Sequence, residues 1–141
     1  MLKKILAITL IIFAAAGCKS NAGVNSCGKG CSSDWSSVNK VYFGFDSAKL
    51  ECACKDNLNK QIKVIKSKPC KEVMVSGHTD PRGTKEYNMG LGHKRAQAVK
   101  AYLKEHGVDS KIKVVSFGKE KAKGHDEASW AADRKTVTEL K

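Results

Sequence analysis

Strands and helices alternate in the hydrophobic pattern of the chain. Alternating apolar positions predict strands, and an apolar stripe recurring every three or four residues predicts a helix. Four strands are predicted in this way, over residues 41–45, 72–76, 112–117 and 135–140. Two helices are predicted over residues 48–66 and 88–106, with a short helical turn at 126–132. The order β-α-β-α-β-β predicts a two-layer α+β domain with the helices packed on one face of a mixed sheet.

Capping and breaking residues mark the ends of the two predicted helices. Asp46 precedes the first helix as a start signal, and Pro69 interrupts the pattern at its end. Asn88 is a preferred N-cap residue for the second helix, and Gly107 ends it. Arg95 then falls in the N-terminal half of the second helix, beside its apolar stripe. We expect this side chain to point toward the loop that follows the second strand.

The N-terminus has the features of an export signal. Two lysines precede an apolar run of 12 residues, 5–16, which is too short to span a bilayer, so residues 1–17 are predicted to be a cleaved signal peptide. Ala15-Ala16-Gly17-Cys18 resembles the cleavage and lipidation signal of bacterial lipoproteins, which would attach acyl chains, palmitate among them, to Cys18. The alternative is an ordinary secretory signal with a chance cysteine. Lys19 is not the aspartate that keeps lipoproteins at the inner membrane, so the resemblance implies the outer membrane, with the domain facing the periplasm.

Composition divides the processed chain into a tether and a domain. Residues 18–38 are rich in Ser, Gly, Asn and Lys without apolar periodicity and are predicted to be a flexible tether, which leaves residues 39–141 as the domain. The formal net charge of +12 favours anionic partners. Nucleic acid is not expected, because the chain is exported and no basic run is interleaved with aromatic residues. Only three of the 26 cationic residues are arginines, and arginine alone offers a rigid fork for carboxylates.

The most informative motif lies between the second strand and the second helix. It reads Gly77-His-Thr-Asp80, then Gly83, Tyr87-Asn88, Leu91-Gly92 and Arg95-Ala96. These positions resemble the OmpA-like peptidoglycan-binding domain family, and in detail its peptidoglycan-associated lipoproteins. The resemblance covers residues 39–140. So many matching positions within about thirty residues are far more specific than a single short motif.

The resemblance implies a site for diaminopimelate in a peptidoglycan stem peptide. Asp80 would receive its side-chain ammonium and Arg95 its carboxylate, although an aspartate before proline also commonly serves only its own turn. Arg134 is either a second carboxylate contact or a buried brace for the Asp80 loop, and we favour the brace. Asp46 matches a position at the rim of the site but is equally a helix cap. Three further residues are expected to line the pocket: Thr79, Asn88 and Leu91.

The function implied is that of an outer-membrane lipoprotein that binds peptidoglycan non-covalently and ties the envelope together. By resemblance, its partners are peptidoglycan and a TolB-like periplasmic protein of a Tol–Pal system that supports cell division. One alternative is an OmpA-like lipoprotein of a secretion or motility apparatus. Another is an exported thiol- or metal-binding protein built on the same scaffold.

Neither catalysis nor a metal site is predicted. His78 and His93 bracket the motif, but no third ligand follows at a recognisable spacing, and no arrangement of nucleophile and base is evident. No cofactor is expected. The cysteines beyond Cys18 are Cys27, Cys31, Cys52, Cys54 and Cys70, an odd number that leaves at least one thiol without an intramolecular partner. Bridges within the tether or from the tether to Cys52 or Cys54 are favoured over a bridge from Cys70 to the distant start of the first helix.

Overall fold

The computed structural model describes residues 35–68 and 72–141. The elements follow one another as α1 (Trp35–Val38), β1 (Lys40–Tyr42), α2 (Cys52–Ser67), β2 (Glu72–His78), α3 (Lys85–Glu105), β3 (Lys111–Gly118), α4 (Glu127–Asp133) and β4 (Lys135–Leu140). The predicted signal peptide, the lipidation site Cys18 and the tether up to residue 34 lie outside the described residues. The four predicted strands and both long helices are present, so the predicted order is confirmed.

The strands form one mixed sheet in the order β1-β4-β2-β3. β2 and β3 run parallel, whereas β4 is antiparallel to both β1 and β2. Parallel neighbours need a long crossover, which α3 supplies between β2 and β3. This is the α+β architecture that the pattern predicted.

A single apolar core lies between the sheet and the two long helices. Val73 and Val75 alternate along β2 and are fully buried, as the period of two requires. Against them pack Leu58 of α2 and Val99 of α3, both also fully buried. α2 and α3 therefore cover the same face of the sheet, and neither of these two long helices covers its other face.

The short helix α1 extends the domain toward the N-terminus. Its last residue, Val38, is buried, and the Val38 carbonyl accepts a hydrogen bond of 2.7 Å from Gln61 Nε2 in α2. Composition alone predicts residues 35–38 to be part of the tether. Because they pack on α2, we count them with the folded domain.

Two helix starts differ from the prediction. Thr84, not Asn88, is the N-cap of α3, since its Oγ1 accepts from the backbone amide of Tyr87 at 3.2 Å. Arg95 consequently lies at the middle of α3 rather than in its N-terminal half. α2 begins at Cys52, so Asp46 caps no helix and instead occupies a left-handed conformation, φ 49°, in the β1–α2 loop.

The cysteines of α2 differ in state. Cys52 is disulfide-bonded. Cys54 is a buried free thiol whose Sγ donates to the carbonyl of Tyr42 at 3.0 Å. Cys27, Cys31 and Cys70 lie outside the described residues. Within residues 35–68 and 72–141, no helix is both long and apolar enough to cross a membrane.

Candidate functional site

A close approach between two glycines sets β2 against α3. A Cβ atom on Gly77 would lie 1.8 Å from the carbonyl oxygen of Gly92, and one on Gly92 would lie 2.4 Å from Ser116 Oγ. Neither position has room for a side chain. The contact brings the loop after β2 down onto the middle of α3, and so places Asp80 near Arg95.

Asp80 is buried in that loop and surrounded by guanidinium groups. Arg82 Nη2 lies 2.8 Å from Asp80 Oδ2, and Arg82 Nε donates to Oδ1 at 3.2 Å, so the pair is bidentate. Arg134 Nη1 approaches Oδ2 at 3.5 Å. Burial opposes ionisation of Asp80, but the hydrogen bonds and charge of Arg82 outweigh it, so the Asp80 pKa lies below its ordinary value. The carboxylate is therefore ionised at neutral pH.

Arg82 is held between two aromatic rings. Its guanidinium carbon lies 4.2 Å from the centre of the Phe45 ring and 4.3 Å from that of Trp130. Both distances are within the range of cation–π attraction. Besides Asp80, Arg82 has a second ion-pair partner in Glu127, whose Oε2 lies 3.5 Å from Arg82 Nη1. About a third of the Arg82 side chain remains exposed, so this cation covers the Asp80 carboxylate from the solvent side.

Arg95 is fully buried and binds three segments of backbone. Its Nε donates to the carbonyl of Ser47 at 2.8 Å, Nη1 to that of His78 at 2.9 Å, and Nη2 to that of Gly44 at 3.0 Å. Burial lowers the pKa of Arg95 to about 10, well above neutral pH. Of its five N–H groups, three are used in these bonds. Arg95 thus joins the β1–α2 loop to the end of β2 and also provides a fixed positive charge.

Arg134 is buried behind Asp80. Besides Asp80, it contacts Glu127 Oε1 at 2.9 Å, and its Nε donates to the carbonyl of Phe43 at 3.2 Å. These contacts link the Asp80 loop, α4 and the segment after β1. They are the contacts expected of a brace for the Asp80 loop.

Asp46 lies at the mouth of the same site. Its carboxylate accepts a hydrogen bond from the Tyr87 hydroxyl of α3, and this bond raises the pKa of Tyr87. The left-handed backbone at Asp46 turns the chain so that this carboxylate faces α3. Asp46 is therefore a rim residue rather than a helix cap.

A cavity of about 180 Å³ lies between these groups. Six of the seven predicted peptidoglycan-binding residues line it, the exception being the brace Arg134. The Asn88 side-chain amide donates to the carbonyls of Arg82 at 2.7 Å and Thr84 at 2.9 Å, and so holds the loop closed over the start of α3. The lining residues are Phe45, Asp46, Thr79, Asp80, Arg82, Gly83, Tyr87, Asn88, Leu91 and Arg95.

The charged groups of the site balance one another. Asp80 and Arg95 line the cavity within one cluster of charges, which also includes the exposed carboxylate of Glu127. A ligand centre that carries one ammonium and one carboxylate preserves this balance, whereas a singly charged ligand disturbs it. The cluster consists of three carboxylates and three guanidiniums: Asp46, Asp80, Glu127, Arg82, Arg95 and Arg134.

Three residues of the cavity wall are not predictable as site residues from the motif. Arg82, Phe45 and Tyr87 line the cavity but carried no predicted role. Arg82 had a usable signal, since it is one of only three arginines and lies two residues from Asp80. Phe45 and Tyr87 had none beyond their exposure, at 63 % and 56 %, which the sequence does not reveal.

The two histidines of the motif do not belong to the cavity. His78 faces the opposite side of the sheet, where its ring stacks on Phe117 with centroids 5.2 Å apart. His93 is exposed on α3, and its Nε2 lies 3.2 Å from Gln97 Nε2. Among the described residues, no group of three or more His, Cys, Asp or Glu side chains is arranged to hold a metal ion.

Comparison with known proteins gives a consistent family assignment. The model of the OmpA family matches residues 42–136. The peptidoglycan-associated lipoprotein of Haemophilus influenzae is 44 % identical over 102 residues, covering 70 % of this chain and 67 % of that protein. That of Pseudomonas putida is 35 % identical over 156 residues, covering 94 % and 93 %.

Solved structures agree with the fold. The peptidoglycan-associated lipoprotein from Burkholderia pseudomallei superposes with a TM-score of 0.68 at 43 % identity, covering 73 % of this chain and 90 % of that one. The C-terminal domain of Helicobacter pylori MotB superposes with a TM-score of 0.67 at 17 % identity, covering 72 % and 83 %. The second likeness is evidence for the fold alone.

Proposed function

This chain belongs to the OmpA family, among its peptidoglycan-associated lipoproteins, and we propose that its cavity binds the diaminopimelate residue of a peptidoglycan stem peptide. Membership of this family agrees with the expectation that the chain is not an enzyme. The observation that carries the proposal is that Asp80 and Arg95, which carry opposite charges, line the same cavity.

Each charge of the ligand has a counterpart in the cavity. The ammonium of the ligand's zwitterionic centre approaches the Asp80 carboxylate, whose two oxygens can accept more hydrogen bonds than the arginines use. The carboxylate of that centre approaches the positive charge of Arg95, which keeps two unused N–H groups. Thr79 and Leu91 complete the wall with a hydroxyl and an apolar surface.

Ligand entry requires Arg82 to share or release Asp80. In the unliganded protein this guanidinium makes a bidentate pair with the carboxylate. The Phe45 and Trp130 rings give Arg82 a place to remain when that pair opens, because their attraction does not depend on Asp80. About a third of the Arg82 side chain is exposed, so water can solvate this guanidinium when the pair opens, which limits the cost of opening.

At the level of the envelope, the proposal makes this chain a link between the outer membrane and the cell wall. Acyl chains on Cys18 would hold one end, and the cavity would hold a stem peptide at the other. A TolB-like periplasmic protein within a Tol–Pal system, acting in envelope integrity and cell division, is the partner that the resemblance implies.

Pull-down on isolated peptidoglycan tests the binding proposal. Asp80→Asn keeps the size of the side chain and removes its charge, so we expect binding to weaken by about 2–4 kcal/mol, the cost of an unpaired charge. Asp56→Asn is the matched control, because Asp56 is an exposed carboxylate of α2 away from the cavity. Equal retention of the wild type and the Asp80→Asn variant would exclude the cavity as the binding site.

A role in a secretion or motility apparatus is supported only by the fold, which MotB shares. A thiol- or metal-binding role finds no specific support in the described residues, because the Cys54 thiol is buried and donates a hydrogen bond to the carbonyl of Tyr42. We therefore propose only the peptidoglycan-binding role.

A further inference from the structure

The face of the sheet opposite the helices carries a concentration of lysines. Alternation along the strands sends Val73 and Val75 into the core and Met74 to this open face. The register places Lys113 and Glu139 on either side of Met74. Six lysines of the face come from β3, β4 and the residues that follow each of these strands: Lys111, Lys113, Lys121, Lys123, Lys135 and Lys141.

The acidic groups on the open face are fewer and two of them are already engaged. Glu72 pairs with Lys113 at 2.9 Å, and this contact lowers the Glu72 pKa. Asp133 is buried and accepts backbone hydrogen bonds from Lys123, at 3.1 and 3.2 Å, and from Gly124, at 2.8 Å. The open face therefore presents an excess of positive charge to the solvent.

A groove of about 430 Å³ runs along this face beside His78. Lys121, Lys123 and Lys135 stand along it, and Lys121 Nζ lies 3.6 Å above the Phe117 ring. Ser76 and Val137 also line the groove, together with the carboxylates of Asp133 and Glu139. Asp133 is buried and bonded to backbone amides, so the three lysines outweigh the remaining carboxylate at the surface of the groove. Thr79 is the one residue that lines both this groove and the Asp80 cavity.

We propose that the open face of the sheet is a docking surface for a bilayer containing anionic phospholipid. Its cations are all lysines, which act as point charges suited to mobile phosphate headgroups, whereas fixed bidentate recognition uses arginine. Protein interfaces are depleted in lysine and rely on buried Trp, Tyr and Arg anchors. Tyr42 of the edge strand lies opposite Lys135 in the strand register and is half exposed, and aromatic residues of this type favour the headgroup region.

The length of chain before the domain makes such docking accessible. If Cys18 carries the anchor, as in the proposed function, residues 19–34 separate it from α1. The tether that composition predicts for these 16 residues corresponds to a root-mean-square extent of about 20–24 Å. The domain then remains close to the membrane surface at a high effective concentration, so a weak electrostatic attraction suffices.

Vesicle sedimentation tests this inference independently of the wall-binding proposal. The protein is the processed chain, residues 18–141, with Cys18→Ser so that no acyl chain contributes. We expect it to sediment with vesicles of phosphatidylcholine plus phosphatidylglycerol, not with phosphatidylcholine alone, and to dissociate as salt is raised. The triple variant Lys121→Gln, Lys123→Gln, Lys135→Gln should bind at least about tenfold more weakly.

A second triple variant controls for net charge. Lys55→Gln, Lys60→Gln and Lys63→Gln remove the same charge from exposed positions of α2, and this variant should bind within about threefold of wild type. Both variants should keep their urea midpoints and their retention on peptidoglycan, which separates this inference from the wall-binding proposal. Equal weakening by the two triples, or equal sedimentation with both kinds of vesicle, would overturn the assignment of the open face.

Discussion

Arg95 Nη1 donates a hydrogen bond of 2.9 Å to the carbonyl oxygen of His78, seventeen residues earlier in the chain. His78 is the last residue of β2, and the loop that carries Asp80 begins immediately after it. The residue proposed to meet the ligand carboxylate therefore also fixes the loop that presents the opposite charge. Substitution of Arg95 is therefore expected to change both the stability of the domain and its affinity for the ligand.

Arg95→Lys should destabilise the domain while keeping the positive charge. Lysine cannot reach three carbonyls in different directions, so about two charged hydrogen bonds are lost and buried oxygens remain unpaired. We expect the free energy of unfolding to fall by roughly 3 kcal/mol, measured by urea denaturation. Arg82→Lys is the control and should cost less than about 1 kcal/mol, because Arg82 is partly exposed. Equal losses in the two variants would show that the three hydrogen bonds of Arg95 do not stabilise the domain.

The close contact between β2 and α3 predicts opposite effects for alanine substitutions at Gly77 in β2 and at Gly90 in α3. Gly77→Ala forces a methyl group against the Gly92 carbonyl, a backbone atom that cannot turn aside, and should destabilise by about 3 kcal/mol or more. Gly90→Ala, on α3 with nothing within 4 Å of the added Cβ, should stabilise by about 0.5–1 kcal/mol. Thermal and urea unfolding measure both. A neutral Gly77→Ala variant would mean that the two elements are not in close contact.

The lowered pKa of His78 predicts that the domain loses stability in mild acid. Burial and then the charges of Lys135 and Lys121 lower its pKa to about 4 from 6.5, against a smaller opposing effect of Asp133. Between pH 6.5 and 4 the unfolded chain binds the proton and the folded domain does not, so stability falls across this window and this contribution levels off below it. Because the groove is open to water, we expect a loss of roughly 1–2 kcal/mol.

The His78→Gln variant isolates that titration. Its free energy of unfolding, measured by urea between pH 7 and 4, should lack the part of the decline that belongs to the imidazole. The carboxylates of the domain titrate in both proteins and cancel in the comparison. Parallel pH profiles for the two proteins would contradict the lowered pKa of His78.

Removal of Arg82 should raise the pKa of Asp80. Burial alone raises this pKa, and the hydrogen bonds and charge of Arg82 are the main effects that lower it. In Arg82→Gln the carboxyl group therefore titrates at higher pH than in the wild type. A carbon-detected NMR titration of the Asp80 carboxyl group measures both values. An unchanged pKa would mean that Arg82 does not pair with Asp80 in solution.

The sequence was sufficient to predict the order of the elements and most of the cavity. Val73 and Val75 alternate clearly, Gly107 ends α3, and the spacing from Asp80 to Arg95 carries the family resemblance. The predicted start of α3 at Asn88 was wrong, because Asn88 and Thr84 are both good N-cap residues. Only the structure shows that the Asn88 side chain donates hydrogen bonds to two loop carbonyls instead.

Contacts between distant segments account for what the sequence could not predict. The Arg95 acceptors at Gly44 and Ser47 are about fifty residues away, and a backbone carbonyl has no identity in the sequence. Arg134 was expected as a contact or a brace, and its partners in three segments favour the brace. The lysines of the open face could not be grouped from the sequence, because it is the pairing of β3 and β4 with β2 that brings them together.

The most direct test of the central claim compares two stem peptides that differ at one residue. Diaminopimelate ends in an ammonium and a carboxylate, whereas lysine at the same position ends in an ammonium alone. Because Arg95 is proposed to attract that carboxylate, calorimetric titration should give at least about tenfold higher affinity for the diaminopimelate peptide. Equal affinities for the two peptides would contradict the assignment of Arg95 and the zwitterion-binding cavity with it.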